Sequence, residues 1–401
     1  MRDKLSMLPS HSPKRVVRAY ESLAPIFEFL GQYDKWLADA DDSHCDFALG
    51  NPQTMPQEEF VSTLQDAAIP QSKDWFAYKM SEPGSRAIVR KSLELLTERA
   101  YAAEDIFLTN GATGALLVAM NALIETGDEV IYSNPPWFFY EGMILNSGGV
   151  PVAISVDPST YDIDLDAIDS AITARTRLVI VNSPHNPTGK VYSADTLRQL
   201  ASILGSASHR FGQRIYLVSD EAYRTVVYDG LEFVSPTNFY RNSIMIYTYG
   251  KTLLTPGQRI GYIALSPEIE EREQLRTLIA SSQILCGWAM SSALMQHGLS
   301  RLQTLTVDVA DLQRRRDRLV TGLRECGYEV NSPEGAFYVL PKTPIENDAQ
   351  FVETLSQHGV FCLPGHIVKM PGHLRMSVTA SEEMIERALP IMAAVREGLG
   401  T

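Results

Sequence analysis

Ser243-Ile244-Met245-Ile246-Tyr247-Thr248-Tyr249-Gly250-Lys251-Thr252-Leu253-Leu254-Thr255-Pro256-Gly257-Gln258-Arg259-Ile260-Gly261-Tyr262-Ile263-Ala264-Leu265 is the stretch on which the reading of this chain turns. The run Ser243 to Thr248 is expected to form a buried strand, and Ile260 to Leu265 a second. Lys251 sits just past the first, and a loop with Pro256 and Gly257 leads to Arg259 at the mouth of the second. A lysine pinned between two buried strands loses hydration, which lowers its pKa and leaves a usable nucleophile. An arginine returned to the same place by a short loop can hold a phosphate bidentately.

Simpler readings compete. A lone lysine beside a strand is usually a surface residue, and Gly250-Lys251-Thr252 also matches the tail of a nucleotide-binding P-loop. That pattern requires a glycine where Met245 stands, and the residues before Gly250 are too bulky for their backbone to wrap phosphates. The P-loop reading fails. The lysine and arginine together suggest an amine that forms an imine with a phosphorylated aldehyde, and pyridoxal phosphate is the common cofactor of that kind.

Composition bounds the rest. A chain of 401 residues exceeds one ordinary core, so two domains are the natural expectation. A hydrophobic fraction of 45% with 21% charged residues is that of an ordinary globular protein. No apolar run is long enough for a membrane span, and the start, Met1-Arg2-Asp3-Lys4-Leu5-Ser6, lacks the apolar core of a secretory signal. Cys45, Cys286, Cys326 and Cys362 are widely spaced and are expected to be free thiols in a reducing cytoplasm, with no metal site. The net charge of −13 argues against a nucleic-acid partner, since the phosphate backbone demands a basic footprint. The one basic cluster, Arg314-Arg315-Arg316 with Arg318, falls on a helix marked by Leu305, Leu312 and Leu319, and is expected to form a solvated or interdomain face.

The middle of the chain alternates apolar runs with helical stretches. Strands are expected at Ile106 to Thr109, Glu129 to Ser133, Val152 to Val156, Leu178 to Asn182 and Ile215 to Ser219. Helices are expected at Gly114 to Glu125, Trp137 to Asn146, Leu165 to Ile172 and Ala194 to Gly205. Continuous apolar strands separated by helices indicate an α/β unit with a mainly parallel central sheet covered on both faces. After about Ser300 the pattern changes to a long helix, Leu302 to Glu325, with short strands near Glu329, Ala336 to Leu340 and Leu374 to Val378. A final helix is expected over Glu382 to Glu397. This is a smaller α+β domain, which the first residues, helical over Pro13 to Leu30, are expected to join. The expected division is 1–55 with the small domain, 56–299 as the large domain, and 300–401 as the small C-terminal domain.

Ligands bind at the carboxyl ends of strands in such sheets. After the strand at Ile106 comes Thr109-Asn110-Gly111-Ala112-Thr113-Gly114, small residues opening a helix whose amides can cradle a phosphate. After the strand at Leu178 comes Asn182-Ser183-Pro184-His185-Asn186-Pro187-Thr188-Gly189, a loop stiffened by prolines that offers Asn186; His185 is expected to be incidental. After the strand at Ile215 comes Ser219-Asp220-Glu221-Ala222-Tyr223. An aspartate closing a buried strand is costly unless a cation pairs with it, and a pyridinium nitrogen is such a cation. A helix N-cap is the plainer role for Asp220 taken alone.

Asn186-Pro187-Thr188-Gly189, then Asp220-Glu221-Ala222-Tyr223, then Lys251 with Arg259, is similar in order and spacing to the fold-type I pyridoxal-phosphate-dependent aminotransferases. The match is to their class I/II branch, which includes the aspartate and aromatic aminotransferases, and it extends from about Gly50 to Arg375. The resemblance implies a homodimer with shared active sites and pyridoxal 5'-phosphate as cofactor. Lys251 would hold the cofactor as a Schiff base and move the Cα proton, and Asp220 would pair with the pyridine nitrogen. Tyr223 and Asn186 would hydrogen-bond the ring oxygen. Arg259, Thr248 and the amides of Gly111, Ala112 and Thr113 would bind the phosphate. Trp137, in Pro135-Pro136-Trp137-Phe138-Phe139-Tyr140, matches the aromatic over the ring, and Tyr78 the tyrosine that reaches the phosphate of the neighbouring subunit. Arg375 matches the clamp for the substrate α-carboxylate, with Gly50 and Asn186 beside it.

The stretch Ser281-Ser282-Gln283-Ile284-Leu285-Cys286-Gly287-Trp288 departs from the Ser/Asn/Pro-rich segment of relatives, and no residue stands out as a second carboxylate clamp. The activity expected is transfer of an amino group from an α-amino acid to a 2-oxo acid through a pyridoxamine phosphate form. A lyase, decarboxylase or cyclase using the same cofactor is the alternative, since fold does not fix the reaction. A non-enzymatic regulatory domain is the remote one, disfavoured by the complete polar set and by the lack of a DNA-binding segment in the sequence.

Overall fold

The computed structural model describes Pro9 and residues 11–399, so the reading of Met1 to Ser6 lies outside the described residues. The strands, in chain order, begin with β1 (Cys45–Asp46), β2 (Ile106–Thr109), β3 (Glu129–Asn134) and β4 (Val150–Ser155). Next come β5 (Thr176–Asn182), β6 (Tyr216–Asp220), β7 (Ser243–Thr248) and β8 (Gly261–Leu265). The short strands β9 (Tyr338–Val339), β10 (Val360–Phe361), β11 (Leu363–Pro364) and β12 (Leu374–Ser377) follow. Strands β2 to β8 form one seven-stranded sheet in the order β2-β8-β7-β6-β5-β3-β4. All its neighbours run parallel except β8, which is antiparallel to both β2 and β7.

The apolar runs are continuous because both sheet faces are covered. Along β7, Ile244 and Ile246 point into a core shared with the helices Gly111–Leu123 and Arg272–Leu285. Met245 and Tyr247 point the other way, into a core with the helices Pro83–Thr97 and Ala293–Leu302. Farther along the sheet, Val179, Val181 and Leu217 pack on the helix Ala194–Phe211, whose N-terminus Ser193 caps by accepting the Thr196 N–H at 3.1 Å.

The register brings the functional strand ends into one region. Asn182 stands opposite Asp220, and Gly261 stands opposite both Thr248 and Thr109. Position 261 must be glycine: a Cβ there would lie 2.3 Å from the Tyr247 carbonyl oxygen and 3.1 Å from the Gly111 backbone. The sheet therefore closes tightly where the loop with Lys251 returns.

Beyond the sheet, β11, β12 and β9 form a small antiparallel sheet, and β1 pairs parallel with β10. Their core includes Ala222 and Tyr223 from the segment after β6, with Leu312 and Leu319 of the helix Val309–Glu325 and Ile385 and Leu389 of the helix Glu382–Gly398. The N-terminal helix Lys14–Asp39 packs Ile26, Phe29 and Tyr33 against Phe361, Leu363 and Val368.

Several expected elements differ. One helix expected over Leu302 to Glu325 is two, Ala293–Leu302 and Val309–Glu325. Asp308 starts the second by accepting the Asp311 N–H at 2.9 Å, and the link docks through the Val307 N–H on the Thr252 carbonyl at 2.8 Å. Leu305 thus lies in the link and packs toward the sheet. The helix expected from Trp137 starts at Tyr140, because the residues before it turn, with the Tyr140 N–H bonded to the Trp137 carbonyl at 3.1 Å. Glu329 forms no strand and accepts the Lys342 N–H from a loop. Of the basic cluster, expected on a solvated or interdomain face, Arg316 is buried: it forks onto Asp229 at 2.9 and 2.7 Å and donates to the Pro333 carbonyl at 2.8 Å.

Candidate active site

The carboxyl ends of β5, β6 and β7 border a cavity of about 230 Å³. Asp220 ends β6 and is 5% exposed. Its Oδ2 accepts the hydroxyl of Tyr140 at 2.6 Å and its Oδ1 the N–H of Ala222 at 3.3 Å. Burial pushes its pKa above the ordinary carboxyl value; the two hydrogen bonds pull the other way and do not offset it. Among the described residues, no cation is in the set of groups that shift it. Tyr140 is itself buried and held well above its usual pKa, so it acts as a donor.

Asn182 fastens the neighbouring strand end. Its Nδ2 donates to the Asp220 carbonyl at 2.9 Å, and its Oδ1 accepts the Asn186 N–H at 2.7 Å. Asn186 Oδ1 in turn accepts from Arg375 Nη1 at 3.4 Å. Arg375, on β12 and 2% exposed, donates from Nη2 to the Ala48 carbonyl at 3.2 Å, while its Nε has no partner. Its guanidinium lies 4.1 Å from the ring centre of Tyr338 and 5.5 Å from that of Phe138.

Lys251 belongs to the short helix Tyr249–Thr252 that follows β7, and is half-buried. Its Nζ stands 5.7 Å from the ring centre of Tyr223 and 5.9 Å from that of Phe337. Thr248 opens that helix: its Oγ1 accepts the Gly250 N–H at 3.3 Å and donates to the Ile260 carbonyl at 3.3 Å. Arg259 donates to the Pro256 carbonyl at 2.7 Å and the Asn110 carbonyl at 3.4 Å. The residue is exposed, yet partial burial of its guanidinium lowers its pKa, and no carboxylate among the described residues acts to restore it. It lies against the start of the helix Gly111–Leu123: a Cβ at Gly111, whose φ is +74°, would lie 2.7 Å from its Nη2. Asn110 makes no side-chain cap on that helix and donates instead to the Met290 carbonyl at 3.0 Å. The first amides of the helix therefore have no partner within it and face the same space as Arg259.

Of the residues expected from sequence, Gly50, Ala112, Thr113, Trp137, Asn186, Asp220, Tyr223, Thr248, Lys251, Arg259 and Arg375 all line this cavity. Gly111 adjoins it through Arg259. Tyr78 does not line it and is 92% exposed. His185 is buried with Nδ1 on the Thr188 hydroxyl at 2.8 Å, and burial holds its pKa down at about 3.

Sequence reasoning missed Tyr338, Tyr140 and Asn182 as parts of the site. The Tyr338 hydroxyl is 3.2 Å from that of Tyr223, and a Cβ at Gly50 would lie 2.7 Å from it. Burial works against its ionisation, yet the charges of Lys251 and Arg375 and the hydrogen bond from Tyr223 hold it below the ordinary tyrosine value. Tyr140 carried a signal in its place three residues after Trp137, at the far end of the turn that Trp137 opens. Asn182 was visible as a polar residue closing an apolar strand.

The Asp220 carboxyl makes a stability prediction. A carboxyl whose pKa is raised on folding binds its proton more tightly in the folded state, so its contribution falls as pH rises from its ordinary value through the raised one. In protein stripped of small molecules, Asp220→Asn should therefore melt at a higher temperature than the parent at neutral pH. The gap should close as pH falls below the ordinary carboxyl range. A variant that melts lower at neutral pH and equally at acid pH would show that the carboxylate is already compensated.

Comparison with known proteins agrees with this geometry. The profile of the family described as aminotransferase class I and II matches residues 43–391. A probable aspartate aminotransferase of Methanocaldococcus jannaschii is 34% identical over 303 residues, which cover 73% of this chain and 78% of that protein. An aspartate/prephenate aminotransferase of Thermus thermophilus is 32% identical over 347 residues, covering 84% and 87%. Among solved structures, an amino transferase from Eubacterium rectale matches with a TM-score of 0.87 at 26% identity, covering 100% of this chain and 98% of that one. The Thermus thermophilus aspartate aminotransferase solved with maleate matches with a TM-score of 0.77 at 26% identity, covering 98% and 99%. With the matched region running from β1 into the last helix and taking in every strand of the sheet, the chain belongs to the class I and II aminotransferases.

Proposed function

We propose that this aminotransferase moves the amino group of an α-amino acid to a 2-oxo acid with pyridoxal 5'-phosphate as cofactor, and that Lys251 carries that cofactor. The observation that carries the reading is the charge arrangement of one cavity. Asp220 is a buried carboxyl and Arg259 a more exposed guanidinium at the same cavity, and among the described residues neither has a counter-ion. A ligand with a phosphate at one end and a protonatable ring nitrogen at the other would satisfy both. The residues present therefore fit pyridoxal phosphate.

When bound, the cofactor supplies an aldehyde that captures an amine and a ring that takes up the electrons released at the substrate Cα. Arg259, the amides of Gly111, Ala112 and Thr113 and the Thr248 hydroxyl would hold the phosphate. Asp220, oriented by Tyr140, would keep the ring nitrogen protonated. Tyr223 and Asn186 would donate to the ring oxygen, and Trp137 would cover the ring face. Arg375 would grip the α-carboxylate with its fork, beside Gly50, and fix which Cα bond stands across the ring. Lys251 Nζ would then take the proton from Cα and return it when the new amino acid forms. Aspartate and prephenate, named for several relatives, are substrates to test here.

We further propose a homodimer with shared sites. The support is Tyr78, exposed outside this chain's own cavity, with exposed Phe76 nearby in sequence and exposed Leu285 and Trp288. The proposed domains are 1–55 with the small domain, 56–299 as the large domain and 300–401 as the small C-terminal domain; the support is the core that the small sheet shares with the helices Val309–Glu325 and Glu382–Gly398 and the packing of Ile26, Phe29 and Tyr33 on Phe361 and Leu363. The four free cysteines support a cytoplasmic location.

Purified protein should be yellow, and borohydride should fix the cofactor to Lys251. Peptide mapping that places the adduct on another lysine would remove the assignment. Lys251→Ala should retain cofactor through the phosphate contacts and lose nearly all turnover.

The shared site has its own test. Tyr78→Phe should weaken cofactor retention. Mixing an inactive variant of Tyr78 with Lys251→Ala should restore activity in hybrid dimers, because one of the two sites then has both residues intact. Hybrids that stay inactive while both parents are folded and dimeric would contradict it.

A further inference from the structure

We propose that the amino-acid side chain this enzyme accepts is apolar, aliphatic or aromatic, and not a second carboxylate. The inference rests on the functional reading above. Among the described residues, the charged groups lining the cavity are Asp220, Lys251, Arg259 and Arg375. Each has a task in that reading, with Arg375 taking the α-carboxylate, so no cation remains for a carboxylate on the side chain.

Apart from Asn186 and the Ala48 carbonyl, which hold the guanidinium, the groups around Arg375 are apolar or aromatic. Leu49 and Phe138 line the cavity there, with the rings of Phe138 and Tyr338 lying over the guanidinium. This wall is fixed. Phe138 packs edge-on against Phe139 with ring centres 4.7 Å apart, and both rings and Leu49 rest on the core that includes Ile26, Phe29 and Phe361. A side chain leaving a Cα whose carboxylate sits on Arg375 would meet Leu49 or Phe138. A carboxylate placed there would be desolvated without a partner, whereas a leucine, methionine or phenylalanine side chain would bury apolar surface.

The immediate sequence neighbours of Trp288 and Tyr78, the residues proposed for the dimer face, add no unpaired cation. Trp288 approaches the helix start, 3.7 Å from where a Cβ of Gly114 would lie, and it belongs to a stretch from Ala280 to Ser300 without lysine or arginine. Lys79, next to Tyr78, is paired with Glu82 at 3.3 Å.

The test uses the cofactor-loaded enzyme. L-phenylalanine, L-leucine and L-methionine are compared with L-aspartate and L-glutamate, each added alone while loss of the aldehyde absorbance is followed. In parallel, 3-phenylpropanoate and maleate are titrated as ligands that cannot react, read by the shift they cause in the cofactor spectrum. The apolar amino acids should react at least about tenfold more efficiently than the acidic ones, and 3-phenylpropanoate should bind at least about tenfold more tightly than maleate, the scale of one buried apolar side chain. Aspartate or glutamate reacting as well as the apolar set, or maleate binding as tightly, would overturn the proposal. If no amino acid discharges the absorbance, the transamination reading itself falls, and the two carboxylate ligands still decide the polarity of the wall. Phe138→Lys should shift the ratio of maleate to 3-phenylpropanoate affinity by about tenfold or more toward maleate; an unchanged ratio in a folded variant would take the wall away from Phe138.

Discussion

A buried carboxyl with no cation beside it among the described residues organises this site. Asp220 closes a strand inside the sheet, where an unpaired charge is costly, and it is held by one hydroxyl and one backbone N–H. Everything around it restricts where a compensating positive charge could come from. Asn182 binds the backbone of Asp220 from β5, the Tyr140 ring fixes one carboxyl oxygen, and the buried Glu221 is turned away to Ser219 and Ser235. Asp220 also lines the cavity, so in the proposed reading a ligand there would bring the cation.

The second constraint is the antiparallel return of β8 between β2 and β7. It places Arg259 against the start of the helix Gly111–Leu123 and lets the loop with Lys251 lie over the ends of the parallel strands. Gly261 makes the approach possible, since any side chain there would strike the Tyr247 carbonyl. The small antiparallel sheet then brings Arg375 and Tyr338 over the other side, on β12 and β9, which pair through Met376 with Val339 and Ser377 with Tyr338. Opposite charges thus line one cavity, a layout suited to orienting a ligand that carries charged groups of both signs.

The strongest local signals in the sequence matched the fold closely. The strands around Lys251 were legible because burial on both faces leaves continuous apolar runs, and the strand ends were legible because polar residues there interrupt them. The helix start at Gly111 was read three residues late, since glycine at the first position hides the boundary from propensity. The break between Leu302 and Val309 was hidden because the apolar spacing continues across it, while tertiary contact with Thr252 decides the geometry. Tyr338 could not be found from local pattern: it sits in a strand of two residues, and its place in the site depends on pairing with β12 and on the close approach of Gly50. Of the two readings of the basic cluster, a solvated or an interdomain face, Arg316 departs from the first because its partner is Asp229, far away in sequence.

The central claim, that Asp220 receives its counter-charge from the cofactor, is tested most directly by nitrogen-15 NMR of enzyme loaded with pyridoxal phosphate labelled at the ring nitrogen. The account predicts a protonated nitrogen at neutral pH in the parent protein and an unprotonated one in Asp220→Ala. An unprotonated nitrogen in the parent, or a protonated one that survives loss of the carboxyl, would contradict it.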